Sequence, residues 1–163
     1  MRVLGIDPGT RVIGYGFVET GPECCRALDF GIFRIDSKLS QARRLKQIHE
    51  FVSGLVDRLQ PDAVAVEDVF VSQNARTTLQ LGHARGVILL AVVGCGIEPS
   101  EYAPREIKKA VLGQGGASKE QVRWMMSRLL NLDLNALEED AADALATALC
   151  HGLRAPGIAV GLG

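Results

Sequence analysis

Apolar residues recur along this chain with two periods, and the order in which those periods follow one another predicts an α/β fold. Arg2 to Asp7 (RVLGID) is a short apolar run that ends in an acid, and Val12 to Glu19 sets Ile13, Tyr15 and Phe17 on one side. Both read as strands, joined by the turn DPGTR. A third strand near Arg26 to Ile35 completes an antiparallel meander. Ser40 then opens a helix with the stripe Leu45, Ile48, Val52, Leu55, Val56 and Leu59; Arg43, Arg44 and Lys46 lie in its early turns, and Gln60-Pro61 ends it. Asp62 to Glu67 (DAVAVE) is a fourth strand, again ending in an acid. Strands joined through a crossover helix normally run parallel, which brings Glu67 to the sheet edge that carries Asp7.

The pattern continues with a helix over 75–93, a fifth strand from Ile97 to Tyr102, a short helix from Arg105 to Leu112 and a longer one from Ser118 to Leu130. Ser118 and Gln121 have the spacing of a capping box. A last helix is expected to start after Asn135, with Glu138 three residues on, and to reach about Leu153. The sum is a five-stranded mixed sheet flanked by helices, in one domain over residues 1–153. Residues 154–163 are expected to form a mobile tail, since Gly and Pro with few large side chains anchor little. No repeat, low-complexity run or linker divides the chain.

Composition narrows this picture without giving a function. With 47% apolar and 5% aromatic residues in 163, the chain can bury an ordinary globular core. No run of 18 uncharged apolar residues is present, and MRVLGIDPGT meets Gly, Asp and Pro too early for a signal peptide, so a cytoplasmic protein without membrane segments is expected. Cys24, Cys25, Cys95 and Cys150 form no CxxC pair; they are expected to be reduced, mostly buried thiols and not zinc ligands. The formal charge of -1 gives no hint of nucleic acid, and setting aside the four candidate metal ligands described next leaves only a modest +3, so phosphate binding would rest on local basic patches.

The candidate chemistry lies in carboxylates. Asp7 leaves its strand where the backbone turns, at the kind of edge where open α/β sheets bind ligands, although Asp-Pro-Gly is equally ordinary turn chemistry. Glu67 lands beside it with no evident cation, while the adjacent Asp68 reads as a solvated loop acid. Asp140 and Asp143, three apart, share one face of the last helix, bordering the stripe Leu137, Ala141, Ala144, Leu145, Ala148 and Leu149. Glu138 and Glu139 are explained by a helix N-terminus, but Asp143 lies beyond its reach, and no Lys or Arg stands three or four residues from either aspartate. Two like charges about 4 Å apart at an effective dielectric near 20 repel by roughly 4 kcal/mol, so a cluster of such acids calls for a divalent cation. Oxygen ligands alone select Mg²⁺ or Mn²⁺ over zinc.

In order and spacing, GIDPGTRVIGYG, VEDVF, LGHARG and DAADALATAL resemble the RuvC crossover junction endodeoxyribonucleases, over roughly residues 1–153. GIDxG alone is less specific, because sugar kinases and actin-like ATPases share it, yet those close two such domains over a nucleotide and this chain has room for one. The resemblance implies an RNase H-like fold and a homodimer. It also implies a metal-dependent endonuclease that resolves Holliday junctions, by paired symmetric nicks in strands of like polarity, during homologous recombination and DNA repair. It places the acidic tetrad on Asp7, Glu67, Asp140 and Asp143, whose third position is His in some members. Two Mg²⁺ per site are implied, with Mn²⁺ possible, Asp7 as the bridge between them, and 5′-phosphate and 3′-hydroxyl products.

By the same resemblance Lys119 and Lys108 lie near the scissile strand, where each would otherwise read as a solvated surface lysine. Phe70, in VFVSQNARTT, packs under its loop on the plain reading and stacks on a crossover base on the family's. Arg76, Arg105, Lys109 and Arg123 are further candidates for phosphate contacts. From Val87 onward the helix over 75–93 is apolar on more of its surface than a single buried face requires, which suits either a central helix or a two-fold dimer fitted to a four-way junction. His83 reads as a packed or interfacial polar residue. A branch-migration complex of RuvA and RuvB is the implied partner. Two other functions remain open at this point: an RNase H-like nuclease that processes ribosomal RNA precursors, and a junction-binding scaffold that does not cut.

Overall fold

Val3 and the pair Leu4 and Ile6 are all fully buried, although they include residues on both faces of one strand, because helices cover both faces of the sheet. The computed structural model describes residues 1–22, 24–69 and 74–154. The strands β1 (Arg2–Asp7), β2 (Val12–Thr20), β3 (Cys25–Arg34), β4 (Ala63–Glu67) and β5 (Ser100–Tyr102) form one mixed sheet in the order β3-β2-β1-β4-β5. The meander is antiparallel, while β4 runs parallel to β1 and β5 parallel to β4. Ile6 pairs with Val66, so the next residues, Asp7 and Glu67, leave the sheet side by side at its carboxyl edge.

Helices α1 (Gln41–Leu59) and α2 (Ala75–Gly94) cover one face, packing Ile48, Val52, Ile88 and Val92 on Leu4, Ile6, Ile13 and Phe17. Helices α3 (Pro104–Leu112), α4 (Lys119–Leu129) and α5 (Glu139–Arg154) cover the other, with Met126, Leu145 and Leu149 against Val3 and Val18. Helix α5 lies unusually close to the sheet. A Cβ on Gly5 would stand 2.0 Å from the Ala144 carbonyl oxygen, and one on Gly14 would stand 1.9 Å from that of Asp140. Only glycine on the strands permits this approach, and it fixes the start of α5 over the end of β1 and the start of β2.

Two boundaries depart from expectation for identifiable reasons. The fifth strand is confined to Ser100–Tyr102, since Pro99 has no N–H to give to a ladder. The last helix starts at Glu139, not after Asn135. Asp133 accepts from the Asn135 N–H through its side chain at 2.9 Å and from the Ala136 N–H through its carbonyl at 3.2 Å, so these residues form a turn in place of a helical one. Of the four free cysteines only Cys150 is buried, and Cys24 is exposed, so the expectation of mostly buried thiols fails.

Helix α2 buries Ala84, Ile88, Ala91 and Val92 but leaves Leu79 and Leu90 more than 60% exposed and Val93 48% exposed. Among the described residues it is the one helix long and apolar enough to cross a membrane, at a mean hydropathy of 1.2. It nevertheless carries Arg85, which pairs with Asp68 at 3.2 Å and with Glu101.

Candidate active site

Strand register and helix docking together bring the four acids to one place. Asp7 ends β1, Glu67 ends β4, and α5 presents Asp140 and Asp143 over the same edge because of its close approach at Gly14. The later start of α5 places Asp140 in the first turn, where the helix N-terminus favours an acid, while Asp143 remains beyond that help. All four side chains are partly buried.

Their charges act on one another. Burial pushes the Asp7 carboxyl well above the usual carboxylate range, and repulsion from Glu67, Asp143 and Asp140 pushes it further, against relief from Lys119. Burial and then Asp143 raise Glu67 to about 7, opposed by Lys119 and Lys108. Burial likewise raises Asp143 in spite of Lys119. The Lys119 ammonium, from the first residue of α4, lies 3.0 Å from Asp143 Oδ2. Its partial burial works against its charge, but Asp143, Asp7 and Asp140 outweigh this and hold it protonated to higher pH than usual. The sequence offered no neighbour for Asp143 within a helical turn; tertiary structure supplies one.

No hydrogen bond or ion pair among the described residues reaches the carboxylate of Asp7 or Glu67. As the side chains stand, no three acids, histidines or cysteines among the described residues are gathered closely enough to grip one ion. The mutual electrostatic influence and this spacing point in different directions. Ionised carboxylates push one another apart, and partly buried side chains on adjoining strand ends have the rotamer freedom to close on a cation. A hard divalent cation fits the donor set, which is all oxygen and deficient in compensating charge.

Helices α2 and α3 begin at this edge too, since they follow β4 and β5. Arg76 and Arg105, in the first turns of these helices, are exposed, as is Lys109 in the last turn of α3, and Lys108 is close enough to oppose the charge on Glu67 and Asp143. Arg123 is a different case: its guanidinium donates to the Leu134 carbonyl at 2.6 Å and ties down the segment between α4 and α5, so the expected phosphate contact is not supported. Asp68 is not a free loop acid, because Arg85 holds it. His83 meets Gln41 at 2.7 Å, as suits a polar surface residue. Phe70 lies outside the described residues. What sequence reading missed was the glycine contact with α5, although the signal was there: Gly14 and Gly16 alternate with Ile13, Tyr15 and Phe17 and leave the opposite face of β2 bare.

The family model described as crossover junction endodeoxyribonuclease RuvC matches residues 3–151. The chain is 46% identical over 156 residues to the crossover junction endodeoxyribonuclease RuvC of Moorella thermoacetica, covering 96% of this chain and 93% of the relative. It is 47% identical over 151 residues to that of Geobacter sulfurreducens, covering 93% and 92%. Among solved structures, Thermus thermophilus RuvC in complex with Holliday junction substrate is similar at 34% identity and a TM-score of 0.85, covering 93% of this chain and 92% of that one. The yeast mitochondrial Holliday junction resolvase, at 16% identity and a TM-score of 0.68, shares the fold. With an RNase H-like sheet, its acids at one edge and relatives of this closeness over nearly its whole length, the chain belongs to the crossover junction endodeoxyribonuclease RuvC family.

Proposed function

We propose that the chain is a Holliday junction resolvase, a metal-dependent endonuclease that places paired symmetric nicks in four-way DNA during recombination and repair. One observation carries the assignment of its centre: Asp7, Glu67 and Asp143 come from three separate elements, and burial plus mutual repulsion raises all three carboxyls at one sheet edge. With Asp140 they form the metal-binding tetrad of our reading, which would hold two Mg²⁺, or Mn²⁺ in their place, with Asp7 at its centre. When bound, such ions activate the attacking water and stabilise the leaving oxygen of the phosphodiester.

The chain's own groups supply the rest. Lys119, kept charged by the acids around it, is placed to neutralise charge that builds on the scissile phosphate. Lys108 assists from α3, and Arg76, Arg105 and Lys109 hold phosphates of the flanking strand. Phe70, directly after the β4 acids in sequence, stacks on a base opened at the crossover. Leu79, Leu90 and Val93, with open space at Gly82, Gly86 and Gly94, form an exposed apolar stripe along α2 that supports a two-fold homodimer through this helix. Val92 is buried within the protomer and takes no part in that contact. We further read residues 1–153 as one nuclease domain, RuvA and RuvB as the branch-migration partners, and the DNA-containing cytoplasm as the place of action. The tail expected over 154–163 lies outside the described residues from 155 onward.

The test is incubation of the protein with a four-way junction, the matching linear duplexes and a structured RNA, in Mg²⁺ and in Mn²⁺. Paired nicks at related positions in two strands of the junction, with 5′-phosphate ends, are expected. RNA cleavage without preference for branched DNA, or junction binding with no nicks in either metal, contradicts the proposal.

A further inference from the structure

The cations of this protein divide by location. Arg2 pairs with Asp62 and Arg26 with Glu19, all near the sheet edge opposite the acids. At the edge that carries the acids, residues 8–13 and 34–49 hold Arg11, Arg34, Lys38, Arg43, Arg44 and Lys46 but only one acid, Asp36. The Asp36 carboxylate accepts from the Lys38 backbone N–H at 2.9 Å, within its own loop. Arg11, Lys38 and Arg43 are exposed, and no ion pair or side-chain hydrogen bond to a described residue engages any of them. Arg34 pairs with Glu138, Lys46 with Glu50, and Arg44 donates to the Thr10 carbonyl, which leaves Arg11, Lys38 and Arg43 as the cations of these two segments without a partner among the described residues.

The register shows where this basic group lies relative to the chemistry. Asp7 pairs with Gly14 and Val12 with Arg34, so the start of β2 and the end of β3 share the carboxyl edge of β1. Arg11 and Arg34 line an open groove of about 410 Å³ together with Val12, Ile35 and Ser37. The frame is rigid: the Ile35 N–H donates to the Arg11 carbonyl at 2.8 Å, and the Arg44 guanidinium donates to the Thr10 carbonyl. Arg34 meets Glu138 at 3.4 Å, two residues before Asp140. The positive end of α1 adds to the field, since its first turn has no acid and the Ser40 side chain makes no capping bond.

We infer that Arg11, Lys38 and Arg43 form a second phosphate track, on the β2–β3 side of the acids, that takes a duplex arm of the junction leading away from the crossover. The inference rests on the resolvase reading and extends it. Lys108 influences Glu67 and Asp143 from α3, which follows β5, and a strand cut between it and the β2–β3 side has phosphates on both sides of the scissile bond. A double helix carries one negative charge per about 1.7 Å of axis, and unpartnered cations in the β1–β2 turn, the β3–α1 loop and the first turn of α1 complement it.

The test compares the full-length protein with the triple variant Arg11→Ala, Lys38→Ala, Arg43→Ala, by equilibrium binding to a long-armed four-way junction over a range of salt, with Ca²⁺ replacing Mg²⁺. Each lost phosphate contact lowers the slope of log K against log salt by about 0.9, so the triple variant should lose up to about 2.7. On a junction whose arms are trimmed to less than one helical turn, parent and variant should bind alike. Arg26→Ala, at the opposite edge, should keep the parent slope on both. All four substituted side chains are exposed, and thermal melts check that the fold is retained. An unchanged slope in the triple variant overturns the track, and so does an equal loss on trimmed arms, which would place the contacts at the crossover. A parent protein that does not prefer four-way over linear DNA instead marks failure of the resolvase reading itself.

Discussion

Replacing Glu67 with Gln should stabilise the metal-free protein at pH 8 while destroying its function. The folded environment raises the Glu67 carboxyl from its ordinary value near 4.5 to about 7, first through burial and then through Asp143. Each unit corresponds to about 1.4 kcal/mol, so keeping this side chain ionised in the folded protein costs about 3 kcal/mol relative to the unfolded chain. Because the folded pKa lies above the unfolded one, the folded state binds more protons between these values. Stability is therefore greatest below about pH 4.5, declines through the window up to about 7, and stays at the lower level above it. Glutamine has nearly the same shape and no charge to strand. At roughly 2–4 °C per kcal/mol for a domain of this size, its midpoint in chelator at pH 8 should exceed that of the parent by about 6–12 °C.

Differential scanning fluorimetry at pH 5 and pH 8, with chelator and with saturating Mg²⁺, measures this directly. At pH 5 the advantage of the glutamine should shrink below about 1 kcal/mol, since the folded carboxyl is then protonated. Saturating Mg²⁺ should reverse the order, because the parent gains binding energy that the variant has lost. A Glu67→Gln protein less stable than the parent in chelator at pH 8 would refute the claim that these acids are held together against their own repulsion.

Other expectations follow from the same geometry. Lys119→Ala removes the ammonium 3.0 Å from Asp143 and should slow single-turnover junction cleavage about 100-fold; a loss under tenfold would exclude its role at the phosphate. Gly14→Ala drives a Cβ into the Asp140 carbonyl and should lower stability by about 3 kcal/mol or more in urea titrations; an unchanged midpoint would show that α5 need not lie so close. Leu90→Glu, at a 63% exposed position on α2, should yield a folded monomer by analytical ultracentrifugation, whereas Val92→Glu, fully buried, should unfold the protomer. A dimeric Leu90→Glu protein would move the interface elsewhere.

Much of this architecture could be read from the sequence because it depends on local periodicity. The capping box of Ser118 and Gln121, the stop at Gln60 and the parallel pairing that sets Glu67 beside Asp7 all emerged as the pattern implied. Misplaced boundaries arose where side chains compete with the backbone, as Asp133 does before α5, or where Pro99 denies a donor to β5. The identities of the four acids were legible, but their neighbours were not. Lys119 reaches Asp143 from a helix 24 residues away, and Arg85 reaches Asp68 and Glu101 across the sheet edge, through contacts that no spacing rule encodes. The exposed apolar face of α2 was visible in composition, yet only burial separates Leu90 on its surface from Val92 beneath.

The most direct measurement of the central claim is cleavage of a labelled four-way junction in Mg²⁺ by the parent protein and by Asp7→Asn, with binding measured on the same samples. Asp7 ends the central strand and feels all three other acids, so it is the residue on which a shared metal site depends. The account predicts paired symmetric nicks by the parent, and a variant that binds the junction as tightly but leaves it intact. Full cleavage by Asp7→Asn would contradict it.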